Sequence, residues 1–337
     1  MRAQVINQFG DPSVFQISDI PTPILKPGHV LIKVLATSVN PIDCKIRKGL
    51  VPNLAPPFPA ILQGDVSGVV LEVTDDVKNF KPGDEVYGCA GGFKDNPGAL
   101  AEYMLADAQL LAKRPQTLSA REAAALPLVS ITAWEALFDF AKIKPEFHVL
   151  IHGGTGGVGH IAVQLAKWCG ARVATTIRHA ENFELAKSLG ADEVINAQEE
   201  SVESYVARLT GGRGFDVVFD TVGGPNLDRA LAAAKIRGTV VTTAARSTHD
   251  LSVMHGKALS LHVVFMLLPI VTGEGRAAHG KILTELAQIV DQGKLKPMID
   301  PHTFMLEQIS EAHALLESGK THGKVVVDIQ KNAANSD

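Results

Sequence analysis

A glycine-rich segment near the middle of the chain has residue types and spacing that suit phosphate binding. It reads Gly154-Thr155-Gly156-Gly157-Val158-Gly159, and it joins an apolar run, Val149-Leu150-Ile151, to a helix-like segment. In a dinucleotide-binding loop the first glycine permits a tight turn, the second lets the pyrophosphate approach the backbone, and the third lets helix and strand pack closely. Free N–H groups at the start of the helix then hold the phosphates. This context favours a dinucleotide site over a simple glycine-rich turn.

The segment after the next strand-like run indicates which dinucleotide is bound. An NAD site usually carries Asp or Glu there, about 20 residues after the loop, to hold the ribose 2′-OH. No acidic residue lies between Ala171 and Ala180, and Arg178 stands in this stretch instead. An arginine can pair with a 2′-phosphate through charge-assisted hydrogen bonds. We therefore predict NADP(H) as the cofactor, with Arg178 at its 2′-phosphate; the alternative is that Arg178 is a solvated loop residue.

Strand-like and helix-like segments alternate around the glycine loop. Helical patterns of this length between short apolar strands are typical of βαβ units, in which helices cover both faces of a parallel sheet. The pattern therefore predicts an α/β fold with a doubly wound parallel sheet. Its predicted strands are 149–151, 172–177, 193–195, 217–219 and 239–241, and its predicted helices lie around 161–168, 181–189, 201–209 and 227–234.

The segments on either side of this region have different patterns. Up to about residue 115, short apolar or alternating runs such as 30–35 and 69–73 are separated by turns, which predicts a twisted, partly closed antiparallel assembly. Ser119, with Glu122 three residues later, has the pattern of a capping box at a helix start. The strand-like run 325–327 has no place in the parallel series, so we expect it to return to the first domain.

Composition and charge exclude several classes of protein. The 337 residues are 46% hydrophobic and 20% charged, which excludes a disordered chain. The formal net charge of -4 gives no electrostatic surface for nucleic acid or an anionic membrane, so neither is an expected partner. Cys44, Cys89 and Cys169 are too few and too far apart for a disulfide framework or a four-thiolate zinc site. No signal peptide or membrane span is visible, and we expect a cytoplasmic protein.

Short motifs along nearly the whole chain have a specific order and spacing. Besides the glycine loop, these motifs are 39–43 with 47–49, 64–70, 82–88, 98–103, Thr132-Ala133, 164–167, 189–192, 220–224 and 323–326. On these motifs the chain resembles the zinc-independent quinone oxidoreductase (zeta-crystallin-like) branch of the medium-chain dehydrogenase/reductase superfamily. One departure is Thr155, where the branch usually has Ala, Ser or Gly.

The resemblance implies a domain organisation and an assembly. It implies a GroES-like β-barrel catalytic domain at 1–120, completed by 294–337, and a Rossmann dinucleotide-binding domain at 121–293, with the active site in the cleft between them. It also implies that Thr132 and Lys324 lie at the cofactor. A homodimer is expected, because cofactor domains of this family often pair edge to edge through late strands. The apolar run 263–268 would then line the acceptor pocket or form a buried strand at the subunit interface.

The resemblance also suggests how the reaction proceeds without a metal. Zinc-dependent alcohol dehydrogenases of the superfamily use a Cys and a His where this chain has Asn40 and Gly64, so no zinc is expected. We predict that Asn40 orients the substrate or the nicotinamide. Asp43, on the same segment, is a second catalytic candidate or, equally, a carboxylate that caps a helix beginning after Pro41.

The sequence thus predicts an NADPH-dependent reductase of quinones or α,β-unsaturated carbonyls. Alcohol oxidation is difficult without a Lewis acid to stabilise the alkoxide. Hydride addition to an electron-poor acceptor delocalises the new charge onto oxygen, so a few hydrogen-bond donors suffice. A zinc-type alcohol dehydrogenase and a non-catalytic NADPH-binding module are the alternatives.

Overall fold

The computed structural model describes residues 1–330 and divides the chain into two compact units. Among the described residues, one unit contains 1–128 and 267–330, and the other contains 129–266. The strands are β1 (Arg2–Ile6), β2 (Phe15–Asp19), β3 (His29–Val39), β4 (Asp65–Val73), β5 (Glu85–Cys89), β6 (Tyr103–Asp107), β7 (Leu111–Lys113), β8 (His148–His152), β9 (Arg172–Ile177), β10 (Glu193–Asn196), β11 (Phe215–Asp220), β12 (Ala234–Thr242), β13 (Ser260–Val263), β14 (Phe304–Met305) and β15 (Val325–Asp328). The α-helices are α1 (Pro41–Arg47), α2 (Ala120–Ala124), α3 (Pro127–Trp134), α4 (Gly159–Trp168), α5 (Phe183–Ser188), α6 (Val202–Thr210), α7 (Asn226–Ala233), α8 (Ser252–Lys257), α9 (Leu268–Thr272), α10 (Arg276–Asp291) and α11 (Ile309–Glu317).

The first unit is built around the long strand β3. The strand pairs antiparallel with β4, β6 and β15, in a sheet of order β14-β15-β3-β4-β5-β7 with β6 beside β3. Alternate residues of β3, Val30, Ile32 and Val34, are fully buried. Val326 of β15 lies opposite Ser38. This pairing confirms that the final strand returns to the N-terminal part of the chain.

The second unit contains a six-stranded parallel sheet of order β10-β9-β8-β11-β12-β13. Helices α4 to α8 lie between successive strands, and the Ser201 hydroxyl caps α6 by accepting from Ser204 N–H. The buried side chains of Leu150, Val218 and Val240 pack in one apolar cluster with α6 and α7. The predicted doubly wound α/β sheet is confirmed, and β13 adds an outer strand beside β12.

The two compact units do not divide where the predicted domains do. The predictions placed residues 121–293 in one domain, whereas α10 packs in the first unit against residues 108–113. Tyr87 Oη donates to the carbonyl of Leu283 at 2.6 Å. Gly280 lies so close that an added Cβ would be 2.6 Å from the carbonyl oxygen of Gln109. These contacts hold α10 on the antiparallel sheet. Residues 331–337 of the predicted C-terminal segment lie outside the described residues.

The apolar segments of the chain form short strands and helices in the structure. The run 263–268 is not one buried strand, because β13 ends at Val263 and α9 begins at Leu268. Val264 and Met266 are buried, whereas the side chains of Val263 and Phe265 are 49% and 44% exposed. Within residues 1–330, no helix has both the length and the apolar character needed to cross a membrane.

Candidate active site

The glycine loop has the strand-to-helix setting that its pattern predicts. It follows β8 and ends where α4 begins at Gly159. A Cβ added to Gly154 would lie 1.9 Å from Oγ1 of Thr175 in β9, and one added to Gly159 would lie 2.0 Å from the carbonyl oxygen of Gly153. A Cβ on Gly156 would meet only that same oxygen, at 3.2 Å. The outer glycines are therefore required for packing, whereas Gly156 leaves the outer side of the loop open.

The open side of the loop presents unused backbone donors. Within residues 1–330, the N–H groups of Thr155, Gly157 and Val158 donate no hydrogen bond. The N–H of Gly156 donates to Gly153 and so shapes the turn. Three free amides at the N-terminus of a ten-residue helix suit an anion, because the helix dipole adds partial positive charge. The loop residues therefore fit the pyrophosphate of a dinucleotide.

The carboxyl end of β9 supports the glycine loop and carries Arg178. Thr176 accepts the N–H of Gly153 on Oγ1 at 3.0 Å, and its carbonyl accepts the N–H of Gly154 at 3.1 Å. Arg178 follows β9 directly and is exposed. Its side chain is therefore accessible to a ligand at the carboxyl edge of the parallel sheet. Thr176 was not predicted as a site residue, because nothing in the neighbouring sequence distinguishes it from other strand residues.

Asp220 lies at the end of β11, and its carboxylate holds the loop between β11 and α7 in place. Its carboxylate accepts the N–H groups of Val222 and Gly223 at 3.0 and 3.1 Å, and the side-chain amide of Asn226 at 2.8 Å. It also accepts Thr242 Oγ1 at 3.2 Å, which ties the loop to β12. Asp220 belongs to one of the matching motifs, but its role as a loop organiser is visible only in the structure.

A buried histidine lies beside the glycine loop. His152 ends β8 and is 2% exposed. Burial lowers the pKa of His152 to about 4, although the charge of Asp220 opposes this shift. The imidazole is therefore neutral at pH 7, and it contributes no positive charge to phosphate binding.

A buried polar cluster in the first unit contains three of the predicted site residues, and Asp65 is its centre. Asp65 accepts from Ser38 Oγ at 2.6 Å, from Asn40 Nδ2 at 2.8 Å and from the N–H of Leu128 at 2.8 Å. Lys324 Nζ lies 3.7 Å from the same carboxylate. Asp65 was not singled out from the sequence, since its partners come from segments that are far apart along the chain.

Asn40 and Asp43 form the N-terminal cap of α1. The N–H of Asn40 donates to Asp43 Oδ2 at 2.7 Å, and the two residues form a capping box. Asp43 thus makes the hydrogen bond expected of a capping carboxylate, and its catalytic role stays a prediction. Burial, reinforced by the negative charge of Asp65, raises the pKa of Asp43 to about 7, against the lowering effect of its backbone hydrogen bond. Asp43 is fully buried, and within residues 1–330 its Oδ1 has no hydrogen-bond partner.

The side chain of Asn40 is fixed from both ends. Its Nδ2 donates to Asp65, and its Oδ1 accepts from Lys324 Nζ. Lys324 also donates to the carbonyl of Val39 at 3.3 Å. Asn40 is fully buried and Lys324 is 4% exposed. Burial lowers the pKa of Lys324, and the charge of Asp65 opposes that shift. Direct contact of either side chain with a ligand stays a prediction.

Thr132 lies in α3 of the second unit and is buried, with 5% exposure. The structure therefore brings Asn40, Asp43 and Lys324 together in the first unit. The glycine loop, Arg178 and Thr132 belong to the second unit. The predicted contact of Thr132 with the cofactor stays a prediction.

The donors of the polar cluster do not suit a zinc ion. Asn40 supplies an amide that is already bonded on both sides, Gly64 has no side chain, and the ammonium of Lys324 repels a cation. A catalytic zinc takes three protein ligands of the Cys, His or carboxylate type. Across the described chain, residues 1–330, no three such side chains are grouped to hold a metal. The residues of the cluster therefore do not fit a catalytic zinc ion.

Two family profiles match this chain. The profile described as alcohol dehydrogenase GroES-like domain matches residues 26–116. The profile described as zinc-binding dehydrogenase matches residues 189–327. The first match lies in the first compact unit, and the second includes residues of both units.

Three individual proteins show the same similarity over almost the full chain. The 2-methylene-furan-3-one reductase of Solanum lycopersicum is 35% identical, over 97% of this chain and 79% of the relative. The chloroplastic NADPH-dependent alkenal/one oxidoreductase of Arabidopsis thaliana is 33% identical, again over 97% and 79%. Among solved structures, the quinone oxidoreductase from Coxiella burnetii has a TM-score of 0.83 at 34% identity, and the match covers 98% of this chain and 99% of that one.

Proposed function

Because this chain belongs to the zinc-independent quinone oxidoreductase branch of the medium-chain dehydrogenase/reductase superfamily, we propose that it is an NADPH-dependent reductase of quinones or α,β-unsaturated carbonyls. The observation that carries the proposal is the open glycine loop, with three free amide donors at the start of α4. The names of the relatives, which include an alkenal/one oxidoreductase and a quinone oxidoreductase, support the same class of acceptor.

The second unit supplies the cofactor site. The free N–H groups of Thr155, Gly157 and Val158 hold the pyrophosphate, and Gly156 lets it come close to the backbone. The guanidinium of Arg178 pairs with the 2′-phosphate, at a position where an NAD enzyme would carry an acid. The NADPH-dependent relative in Arabidopsis thaliana supports this preference.

The reduced nicotinamide, when bound, supplies the hydride. An electron-poor acceptor needs no metal, because its carbonyl oxygen takes the developing negative charge and a few donors stabilise it. We propose that Asn40 orients the reacting groups, and that Asp65 and Lys324 keep its amide in one orientation. Water provides the proton that completes the reduction.

The experiment that tests this proposal follows the hydride. The protein is given NADPH deuterated at C4 of the nicotinamide, in separate preparations for the two faces, together with a 2-alkenone. Mass spectrometry of the product should show one deuterium, at the β-carbon, from one of the two preparations. Bound NADPH without any transfer to alkenones or quinones would favour the non-catalytic module. Alcohol oxidation that is lost with a chelator would favour a zinc-type alcohol dehydrogenase.

We also propose that the protein is a cytoplasmic homodimer. Strand β13 lies at the outer edge of the parallel sheet, and among the described residues 1–330 it pairs only with β12, so its other edge can pair with a second copy. The net charge of -4 argues against nucleic acid or anionic membranes as partners. Light scattering coupled to gel filtration tests the oligomeric state, and fractionation of cells tests the location.

A further inference from the structure

Three side chains that the proposed reductase mechanism does not use form a continuous hydrogen-bonded series in the second unit. Ser247 Oγ lies 2.5 Å from His249 Nε2. His249 Nδ1 lies 2.8 Å from Asp228 Oδ1. Ser247 and His249 belong to the loop after β12, and Asp228 lies in the first turn of α7. A hydroxyl, an imidazole and a carboxylate are thus connected in the order of a nucleophile, a base and a group that orients the base.

The hydrogen bonds determine which imidazole nitrogen carries the proton. An ionised carboxylate only accepts hydrogen bonds, so Nδ1 of His249 must donate to Asp228. In the neutral ring this leaves a lone pair on Nε2, which faces the hydroxyl of Ser247. His249 can therefore take the Ser247 proton as a general base, and Asp228 stabilises the imidazolium that forms.

The fold holds this arrangement and keeps its nucleophile accessible. The side chain of His249 is only 8% exposed, whereas Ser247 is exposed. The loop is anchored before the serine by the N–H of Ala244, which donates to Thr242 Oγ1 at 3.2 Å. After the histidine, Asp250 accepts the N–H of Ser252 at 2.9 Å, where α8 begins. The base is thus restrained while the hydroxyl faces solvent.

An exposed cation and two backbone amides without hydrogen bonds in residues 1–330 lie next to Ser247 in the chain. Arg246 precedes the serine, is exposed, and makes no ion pair within residues 1–330. In the same described part of the chain, the N–H groups of Ser247 and Thr248 donate no hydrogen bond. A cation and free amides near a nucleophile are the groups that stabilise a tetrahedral intermediate of acyl transfer.

We propose that Ser247, His249 and Asp228 form a hydrolytic site for small, unhindered esters. Ser247 Oγ bonds to the ester carbonyl carbon while its proton moves to His249 Nε2. The bond to the alcohol oxygen then breaks, and His249 returns the proton to the leaving alcohol. Water, activated in the same way, releases the acid from the acyl-serine. No oxidant or reductant is consumed, so this activity is independent of NADPH.

The test uses the full chain, p-nitrophenyl acetate as the probe and no NADPH. We compare the unmodified protein with Ser247→Ala and Asp228→Asn, and we use Ser188→Ala as the matched control for an exposed serine hydroxyl elsewhere in the second unit. Release of p-nitrophenol is followed by absorbance. Peptide mass mapping after brief exposure locates the acetyl group, and thermal unfolding checks that each variant is folded.

The proposal predicts an acetyl group on Ser247 in the unmodified protein. It predicts a rate about 100-fold lower in Ser247→Ala, a smaller loss in Asp228→Asn and an unchanged rate in Ser188→Ala. Equal rates in Ser247→Ala and the unmodified protein, or acetyl groups on lysines alone, would overturn it. Should Ser247→Ala fail to fold, the acetyl position in the unmodified protein decides. Because the assay omits NADPH, its outcome is separate from that of the reductase assays.

Discussion

Lys324 donates a hydrogen bond to Oδ1 of Asn40 across 284 residues of sequence, and both side chains are buried. The same ammonium lies 3.7 Å from Asp65, which holds the other end of the Asn40 amide. A buried cation therefore connects the segment before the last strand to the start of α1. This connection fixes Asn40, the residue that we propose orients the reacting groups.

Removing the ammonium should cost much stability. Lys324→Met leaves the carboxylate of Asp65 buried without its cation, and loss of one partner of a buried pair costs about 3–5 kcal/mol. Urea unfolding should show this loss. Lys320→Ala, at an exposed lysine nearby, should change the free energy of unfolding by less than about 0.5 kcal/mol. The double variant Asp65→Asn with Lys324→Met should lose less than the sum of the single losses. Additive losses would show that the two groups do not interact.

The raised pKa of Asp43 predicts a pH dependence of stability. Its pKa is about 7 in the folded protein and about 3.9 in an unfolded chain, so the folded state binds the proton more tightly. The contribution of Asp43 to stability is therefore fully present below about pH 4, and it is lost as the pH rises through about 7. The upper limit of this loss is ~4 kcal/mol.

Asp43→Asn removes this titration and keeps an oxygen that can accept the N–H of Asn40. The free energy of unfolding of the unmodified protein, relative to the variant, should be higher at about pH 5 than at about pH 8. Urea titrations at both pH values measure this double difference. The same difference at both pH values would contradict a raised pKa.

Arg178 should discriminate between the two nicotinamide cofactors. Arg178→Ala removes a charge-assisted contact to the 2′-phosphate, and we expect about 10- to 100-fold weaker NADPH binding with NADH affinity nearly unchanged. Arg178→Lys keeps the charge but loses the planar fork, so its NADPH affinity should be intermediate. Calorimetric titration with both cofactors measures these affinities. Equal losses for NADPH and NADH would refute the assignment.

Substitution by valine should affect cofactor binding at one glycine of the loop and stability at another. Gly156→Val adds a side chain where a Cβ meets only the Gly153 oxygen at 3.2 Å, so the protein should fold but bind both cofactors more than about tenfold more weakly. Gly154→Val places a Cβ 1.9 Å from Thr175 Oγ1, so it should lower the unfolding temperature. Cofactor titration and thermal unfolding separate the two effects. Full cofactor affinity in Gly156→Val would contradict the proposed phosphate site.

Local sequence patterns predicted the strands and helices of this fold, but they did not predict the contacts between distant segments. Short stretches of sequence predict the parallel strands, the glycine loop and the capping box at Ser119. The structure confirms each of them. The position of α10 depends on its contacts with Tyr87 and residues 108–113, which no local pattern reveals.

The polar cluster at the candidate site likewise depends on contacts between distant segments, which no local pattern predicts. Asn40 and Asp43 could be selected because they lie in one short motif. The central place of Asp65 depends on Leu128 and Lys324, which come from distant segments. The series of Ser247, His249 and Asp228 likewise requires a loop and a helix to meet, so its sequence spacing gave no signal.

The oxidation of NADPH and of NADH by the purified protein tests the central claim most directly. The rates are followed by absorbance with 9,10-phenanthrenequinone and with a 2-alkenal, each with and without a chelator. We predict oxidation that prefers NADPH and is unchanged by the chelator. No oxidation with any acceptor, or oxidation that the chelator abolishes, would contradict the assignment as a metal-free NADPH-dependent reductase.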